Sequence, residues 1–174
     1  ESIEKRIIGE EKSIKILGSY PRVSMLEKKV KSILFIGTGP MNRSLEAIMK
    51  SEGYNTYLCG RSTKTKPEDV IGKVDVVICC VPMRVAPEVI KKYLPMMHKG
   101  QAFIDMSGEK SETIAAAKEY AKKGIEVTGI HELRGPNVDL RGKNVIVVKT
   151  ELSGDKSQEI IDVYYKHGAN ITYD

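Results

Sequence analysis

From Ser32 to Asp174 the apolar positions fall into two alternating kinds of run. Short continuous blocks rich in Ile and Val alternate with segments whose apolar residues recur at helical spacing. Ile33-Leu34-Phe35-Ile36 is unbroken and ends in glycine, which suits a strand buried on both faces. Further strands are expected at 55–59, 75–81, 102–105, 126–130, 144–149 and 170–173. Asp75 to Val81 (DVVICCV) has the strongest core character of these. Helices are expected at 41–51, 85–97, 111–123 and 155–167, with a short helical or loop connection at 66–72. Strands separated by helical segments imply βαβ units. The fold class is therefore α/β: a doubly wound, mainly parallel Rossmann-type sheet.

The first residues follow a different pattern. Ile3, Ile7, Ile8 and Ile14 share a helical face until Gly18-Ser19-Tyr20-Pro21 stops it. This divides the chain into an N-terminal helical extension, 1–31, and a nucleotide-binding domain, 32–174. The extension is too short to fold alone.

Charge and composition narrow the function classes. The net charge is +5, and the first 32 residues carry +3 of it. No basic cluster is interleaved with aromatics, Trp is absent and Phe occurs twice, so nucleic-acid binding is not expected. An anionic small molecule makes better use of a modest positive bias. No apolar run is long enough to cross a membrane, and no leader pattern opens the sequence. Cys59, Cys79 and Cys80 lack metal-binding spacing and read as buried strand cysteines in a reducing compartment. A cytoplasmic protein without a metal is expected; a dimer is compatible with the sequence.

In a doubly wound sheet, ligands bind beyond the carboxyl ends of the strands, at the point where strand order reverses. The first strand ends in Gly37-Thr38-Gly39-Pro40-Met41-Asn42. Gly37 permits a tight turn, and Gly39 lets the backbone approach a pyrophosphate. The next helix offers free N–H groups, and Pro40 fits its first turn, where the missing N–H costs nothing. Asn42 replaces the third glycine of the dinucleotide fingerprint, which would set the helix slightly farther from the strand.

The second strand leads into Cys59-Gly60-Arg61-Ser62-Thr63-Lys64, with no acid before Glu68 to bind the ribose 2′-hydroxyl of NAD. Arg61 can stack on adenine and pair with a 2′-phosphate; Ser62 and Thr63 can donate hydrogen bonds. NADP is therefore expected over NAD. After the third strand, Val81-Pro82-Met83 should turn the chain across the cofactor. The segments 105–110 and 129–136 open on the same edge. Of three histidines, His131 lies at a strand's carboxyl end, where an imidazole can reach a substrate beside the nicotinamide. His98 and His167 lie at helix ends and read as structural.

The succession GTGPMN, VDVVICCVPMRV, FIDMSGEK, GIHELRGPN and LRGKNVIVV resembles the dinucleotide-binding domain of prephenate dehydrogenases, from about Ser32 to Asp174. That family's histidine loop reads Gly-x-His-Pro-Met-Phe-Gly-Pro; Gly129, His131, Gly135 and Pro136 match it, as Asp105 and Lys110 match its aspartate-to-lysine loop. The resemblance implies oxidative decarboxylation of prephenate (or arogenate) with NAD(P), a step toward tyrosine. It makes neutral His131 the hydrogen-bond acceptor and general base for the substrate hydroxyl. The family's orienting serine falls at Gly108, so Ser107, one step earlier, is the substitute. Glu132 and Arg134 replace the loop's Pro and Phe; the guanidinium could meet a substrate carboxylate, whereas Glu132 would repel one. The family's helical second domain would lie beyond Asp174, so this chain is expected to bind cofactor yet be incomplete for turnover. The N-terminal helix also weakly resembles the tail of a chorismate mutase domain. Another NADP-dependent reductase and a non-catalytic dinucleotide sensor are the competing readings.

Overall fold

The computed structural model describes residues 28–108 and 110–174, leaving aside the side chains of Lys110 and Ser111. The expected helix over 1–18 lies outside these residues. One seven-stranded sheet organises the rest, in the order β2-β1-β3-β4-β5-β6-β7. Its strands are β1 (Ser32–Ile36), β2 (Asn55–Cys59), β3 (Val76–Cys79), β4 (Ala102–Asp105), β5 (Glu126–Leu133), β6 (Asn144–Val148) and β7 (Asn170–Tyr173). The first five run parallel, β6 runs antiparallel to β5, and β7 runs parallel to β6.

The period-two alternation of the strands divides the core between the two faces of the sheet. Ile33, Phe35, Val76, Ile78, Ala102, Ile104, Val145 and Val147 lie in one cluster with Leu45 and Met49 of α1 (Pro40–Ser51) and Ile160, Ile161 and Tyr164 of α5 (Asp155–Lys166). Leu34, Ile36, Val77, Cys79, Phe103 and Val127 lie in the other with α2 (Pro67–Val70), α3 (Ala86–Tyr93) and α4 (Lys110–Tyr120). Unbroken apolar strands are what a sheet covered on both faces requires.

Several boundaries differ from the sequence expectation, among them the strand expected over 75–81, which is Val76–Cys79, and the helix expected over 111–123, which ends at Tyr120; two differences bear on the site. The helix expected over 85–97 ends at Tyr93 and continues as a 3-10 turn, Leu94–Met96, because Pro95 has no N–H to extend an α-helix. The strand expected to stop at Ile130 continues to Leu133, pairing His131, Glu132 and Leu133 with Ile146, Val145 and Asn144 of β6. His131 therefore sits on a strand, not in a loop, and gains the strand's rigidity.

A crevice built by four strand ends

The strand order reverses between β1 and β3, since β2 lies on one side of β1 and β3 on the other. Gly37 occupies this position with φ of 111°, a conformation that disfavours any side chain. A Cβ there would lie 2.1 Å from the Cys80 carbonyl oxygen and 3.2 Å from Cγ1 of Val81. The turn after β1 is thus pressed against the turn after β3, and glycine is required for steric as well as torsional reasons. The Gly37 amide donates to the Cys59 carbonyl at 2.9 Å, and the Cys80 amide to the Ile36 carbonyl at 3.0 Å. These bonds tie three strand ends together.

The contacts continue outward on both sides. A Cβ on Gly60 would lie 3.1 Å from Cγ2 of Thr38, so the turns after β2 and β1 touch. A Cβ on Gly108 would lie 2.8 Å from Sδ of Met83, so the turns after β3 and β4 touch. Four loops distant in sequence form one continuous edge. Gly39 is the extended N-cap of α1 and Pro40 its first helical residue. Gly39 and Pro40 are exposed, Thr38 and Met41 half-buried, so α1 opens with its amide end accessible. Such an end favours an anion.

Asn42 shows why the missing third glycine does no harm. It is fully buried, and its Nδ2 donates to the carbonyls of Ile36 at 3.0 Å and Gly37 at 2.9 Å. The side chain fills the gap between helix and strand and holds the tight turn. Its Oδ1 is buried without a hydrogen-bond partner.

In the turn after β2, Arg61 and Ser62 are exposed, whereas the Thr63 hydroxyl is engaged with Gly60 and Thr65. Thr63 shapes the loop and leaves Arg61 and Ser62 facing solvent. Arg43 Nε donates to the Thr38 carbonyl at 2.8 Å, adding a second guanidinium beside the glycine turn. Nothing in the fingerprint singled out Arg43. Beyond β3, Val81 is half-buried, while Pro82 and Met83 are exposed at the rim.

After β4, the Asp105 carboxylate organises the next turn: Oδ1 accepts the Ser107 amide at 3.0 Å and Oδ2 accepts the Thr113 hydroxyl. This orders the chain entering α4 and holds Ser107, which is only 2% exposed. His131 is half-buried. The other histidines do other work: His98 lies near the carbonyls of Lys99 and Gly72, and His167 Nε2 lies 2.9 Å from Glu52.

Glu132 and Arg134 are not free substrate ligands. Arg134 Nε donates to Glu132 Oε1 at 2.6 Å, and both side chains are fully shielded from solvent. The Tyr164 hydroxyl of α5 donates to Glu132 Oε2. Arg134 Nη1 donates to the Ser44 hydroxyl of α1 at 3.0 Å and to the Val138 carbonyl. Burial, then the negative charge of Glu132, hold the Tyr164 phenol well above its ordinary pKa, so it remains a donor. The two residues neutralise each other inside the protein, so the expected direct effects on substrate charge give way to an internal ion pair. Among the described residues no cluster of His, Cys, Asp and Glu could hold a metal, and Cys59, Cys79 and Cys80 form no disulfide with one another.

The sequence profile of the prephenate dehydrogenase nucleotide-binding domain matches residues 49–173. The chain belongs to that family. It is 24% identical over 117 residues to the T-protein of Haemophilus influenzae, covering 67% of this chain and 30% of that protein. Prephenate dehydrogenase from A. aeolicus, solved with hydroxyphenyl propionate and NAD+, superposes with a TM-score of 0.68 at 18% identity, over 86% of this chain and 61% of that one. Synechocystis arogenate dehydrogenase gives 0.71 at 13%, over 82% and 59%. An imine reductase from Myxococcus stipitatus, solved with NADP+, gives 0.67 at 13%, over 82% and 54%. These structures share the fold; the chain spans less than two thirds of each. This is a dinucleotide-binding domain of a prephenate dehydrogenase-like protein. Among the described residues no helix is long and apolar enough to cross a membrane.

Proposed function

We propose that this domain binds NADP and presents it to a small anionic substrate, prephenate or arogenate, for oxidative decarboxylation. The observation that carries the reading is the continuous edge formed by the turns after β1, β2, β3 and β4, with Gly37 pressed between the second and third strand ends and His131 on the strand beside them. Gly37, Thr38, Gly39, Pro40, Met41 and Asn42, at the amide end of α1, would hold the pyrophosphate, and Val81, Pro82 and Met83 would line the path toward the nicotinamide.

The choice of NADP rests on the turn after β2. Arg61 and Ser62 are exposed there, and the strand end carries no carboxylate that would repel a 2′-phosphate. A guanidinium pairs with a phosphate through parallel N–H···O bonds. Thr63 keeps that turn in shape.

The chemical demand on the protein is alignment and proton handling. The dinucleotide accepts hydride when bound, while loss of carbon dioxide makes the substrate ring aromatic. The chain's part would be to hold the cofactor and to place the His131 imidazole where it can accept the substrate's hydroxyl proton. Ser107, held through Asp105, orients the same end of the site.

Fluorescence titration tests the cofactor half. NADPH should bind more tightly than NADH, and Arg61→Ala should abolish that preference. A clear preference for NADH, indifferent to Arg61→Ala, overturns it. NADP reduction with prephenate or arogenate, on a chain extended past Asp174, tests the reaction; no reduction with either redirects the reading to another reductase or to a sensor.

A further inference from the structure

Residues 131–134 carry two alternating faces. His131 and Leu133 point to one side of the sheet, Glu132 to the other, where Val145 and Tyr164 lie in the α1/α5 core. A glutamate in that position is costly unless paired, and Arg134 and Tyr164 pair both of its oxygens. Arg134 then reaches two more elements, Ser44 on α1 and the carbonyl of Val138 beyond the Gly135-Pro136-Asn137 turn. Asn137 takes φ of 64° in that turn, so the chain bends sharply back toward the guanidinium. One buried cation thus ties the end of the histidine strand, the following loop and the helix whose amide end faces the cofactor site. The remaining nitrogen, Nη2, is buried without a partner. A group kept at that cost has a positional use or none.

We propose that Arg134 and Glu132 are positioning residues: a buried clamp that fixes His131 relative to α1, so that cofactor seating on α1 is felt at the histidine. The coupling to cofactor rests on the reading of the crevice as a dinucleotide site; the clamp itself does not. Glu132 and Arg134 act on substrate only through His131, so altering them moves the imidazole rather than removing a contact.

Amide hydrogen exchange on the whole chain, followed by mass spectrometry, tests the clamp. Arg134→Met should accelerate exchange over 131–138 by about tenfold or more while β1 and β3 keep their protection. Arg134→Lys should restore part of it, since an ammonium can meet Glu132 but cannot span Ser44 and Val138 together. If Arg134→Met fails to fold because Glu132 is left unpaired, Glu132→Gln with Arg134→Met removes that charge, and exchange over 131–138 should still be fast. Wild-type protection over 131–138 in either folded variant overturns the clamp. The positional effect is read from the His131 ring proton by NMR with 2′-phospho-ADP-ribose, which carries the pyrophosphate but no nicotinamide: it should shift the proton in the wild type and fail to in the double variant, with affinity within about twofold. An unchanged shift in the double variant overturns the coupling. No dinucleotide binding to the wild type defeats the crevice reading and the coupling with it, and leaves the exchange result to decide the clamp.

Discussion

The turn after β1 and the tail of β5 border the same edge of the sheet, yet they are held by different means. The glycine turn is a backbone construction: Gly37 lies against the Cys80 carbonyl, strand-end amides and carbonyls pair across it, and Asn42 supplies the one side chain that locks it. The β5 tail is a side-chain construction, with Glu132, Arg134, Tyr164 and Ser44 sharing one buried set of polar bonds. Backbone contacts of this kind fail abruptly, because a single added carbon has nowhere to go. Charge networks fail by degrees, according to which partner is left alone.

The largest expected effect is therefore at Gly37. Gly37→Ala places a carbon 2.1 Å from a backbone oxygen, in a conformation that alanine resists. Urea unfolding should show a loss of about 3 kcal/mol or more, or no folded protein. A loss below about 1 kcal/mol would mean that the turns after β1 and β3 are not pressed together as described.

Next is His131→Asn. In a chain extended past Asp174, turnover should fall about 10²- to 10⁴-fold with NADPH affinity unchanged. A near-normal rate would remove His131 from the chemistry and leave β5 with a purely structural part. Arg61→Ala should weaken NADPH by about 10- to 100-fold, the worth of a charge-assisted pair, and leave NADH alone. Equal losses for both cofactors would place Arg61 on a group they share rather than on the 2′-phosphate.

Asn42→Ala removes both bonds to the Ile36 and Gly37 carbonyls. It should cost about 1–3 kcal/mol in stability, less than Gly37→Ala, because water can reach part of the gap. A cost equal to that of Gly37→Ala would make the turn as dependent on side chains as the β5 tail.

The smallest effect concerns pH, far from the crevice. Burial of Glu52 raises its pKa, but hydrogen bonds from Lys166, at 2.7 Å, and His167, at 2.9 Å, outweigh this and set it below the usual carboxylate value. A depressed folded-state pKa contributes stability above the unfolded-state value, about 4.3, which is lost as pH falls through the folded-state value. Melting temperatures in acid should therefore fall less steeply for Glu52→Gln than for wild type. An identical slope would show that the pair contributes nothing.

Much of the sheet was legible from sequence, for a physical reason. Central strands covered on both faces must be apolar runs, as 33–36 and 76–79 are, and the expected strands 55–59, 102–105 and 170–173 coincide with observed ones, the first and last being partly exposed edge strands. The glycine turn was equally plain, since no other residue tolerates that backbone. Three features were not. The extension of β5 past Ile130 was hidden because His131, Glu132 and Leu133 break the apolar run; the strand persists because β6 pairs with it. The inward direction of Glu132 and Arg134 was hidden because charged side chains read as exposed unless their partners are known, and Ser44 and Tyr164 are 90 and 32 residues away from the groups they bind. The alternation of His131 with Glu132 was the available signal: if the histidine faces the crevice, its neighbour must face the core. The part played by Asn42 was hidden because a side chain in place of a glycine implies a wider gap, whereas its amide spans that gap to the carbonyls of Ile36 and Gly37.

The most direct test of the central claim is a crystal structure of the domain with NADP bound. It should show the pyrophosphate over Gly37 and Gly39, the 2′-phosphate against Arg61 and Ser62, and the nicotinamide on the side of the sheet edge where His131 lies. An empty crevice at saturating NADP, or a nicotinamide on the far rim from the imidazole, would contradict it.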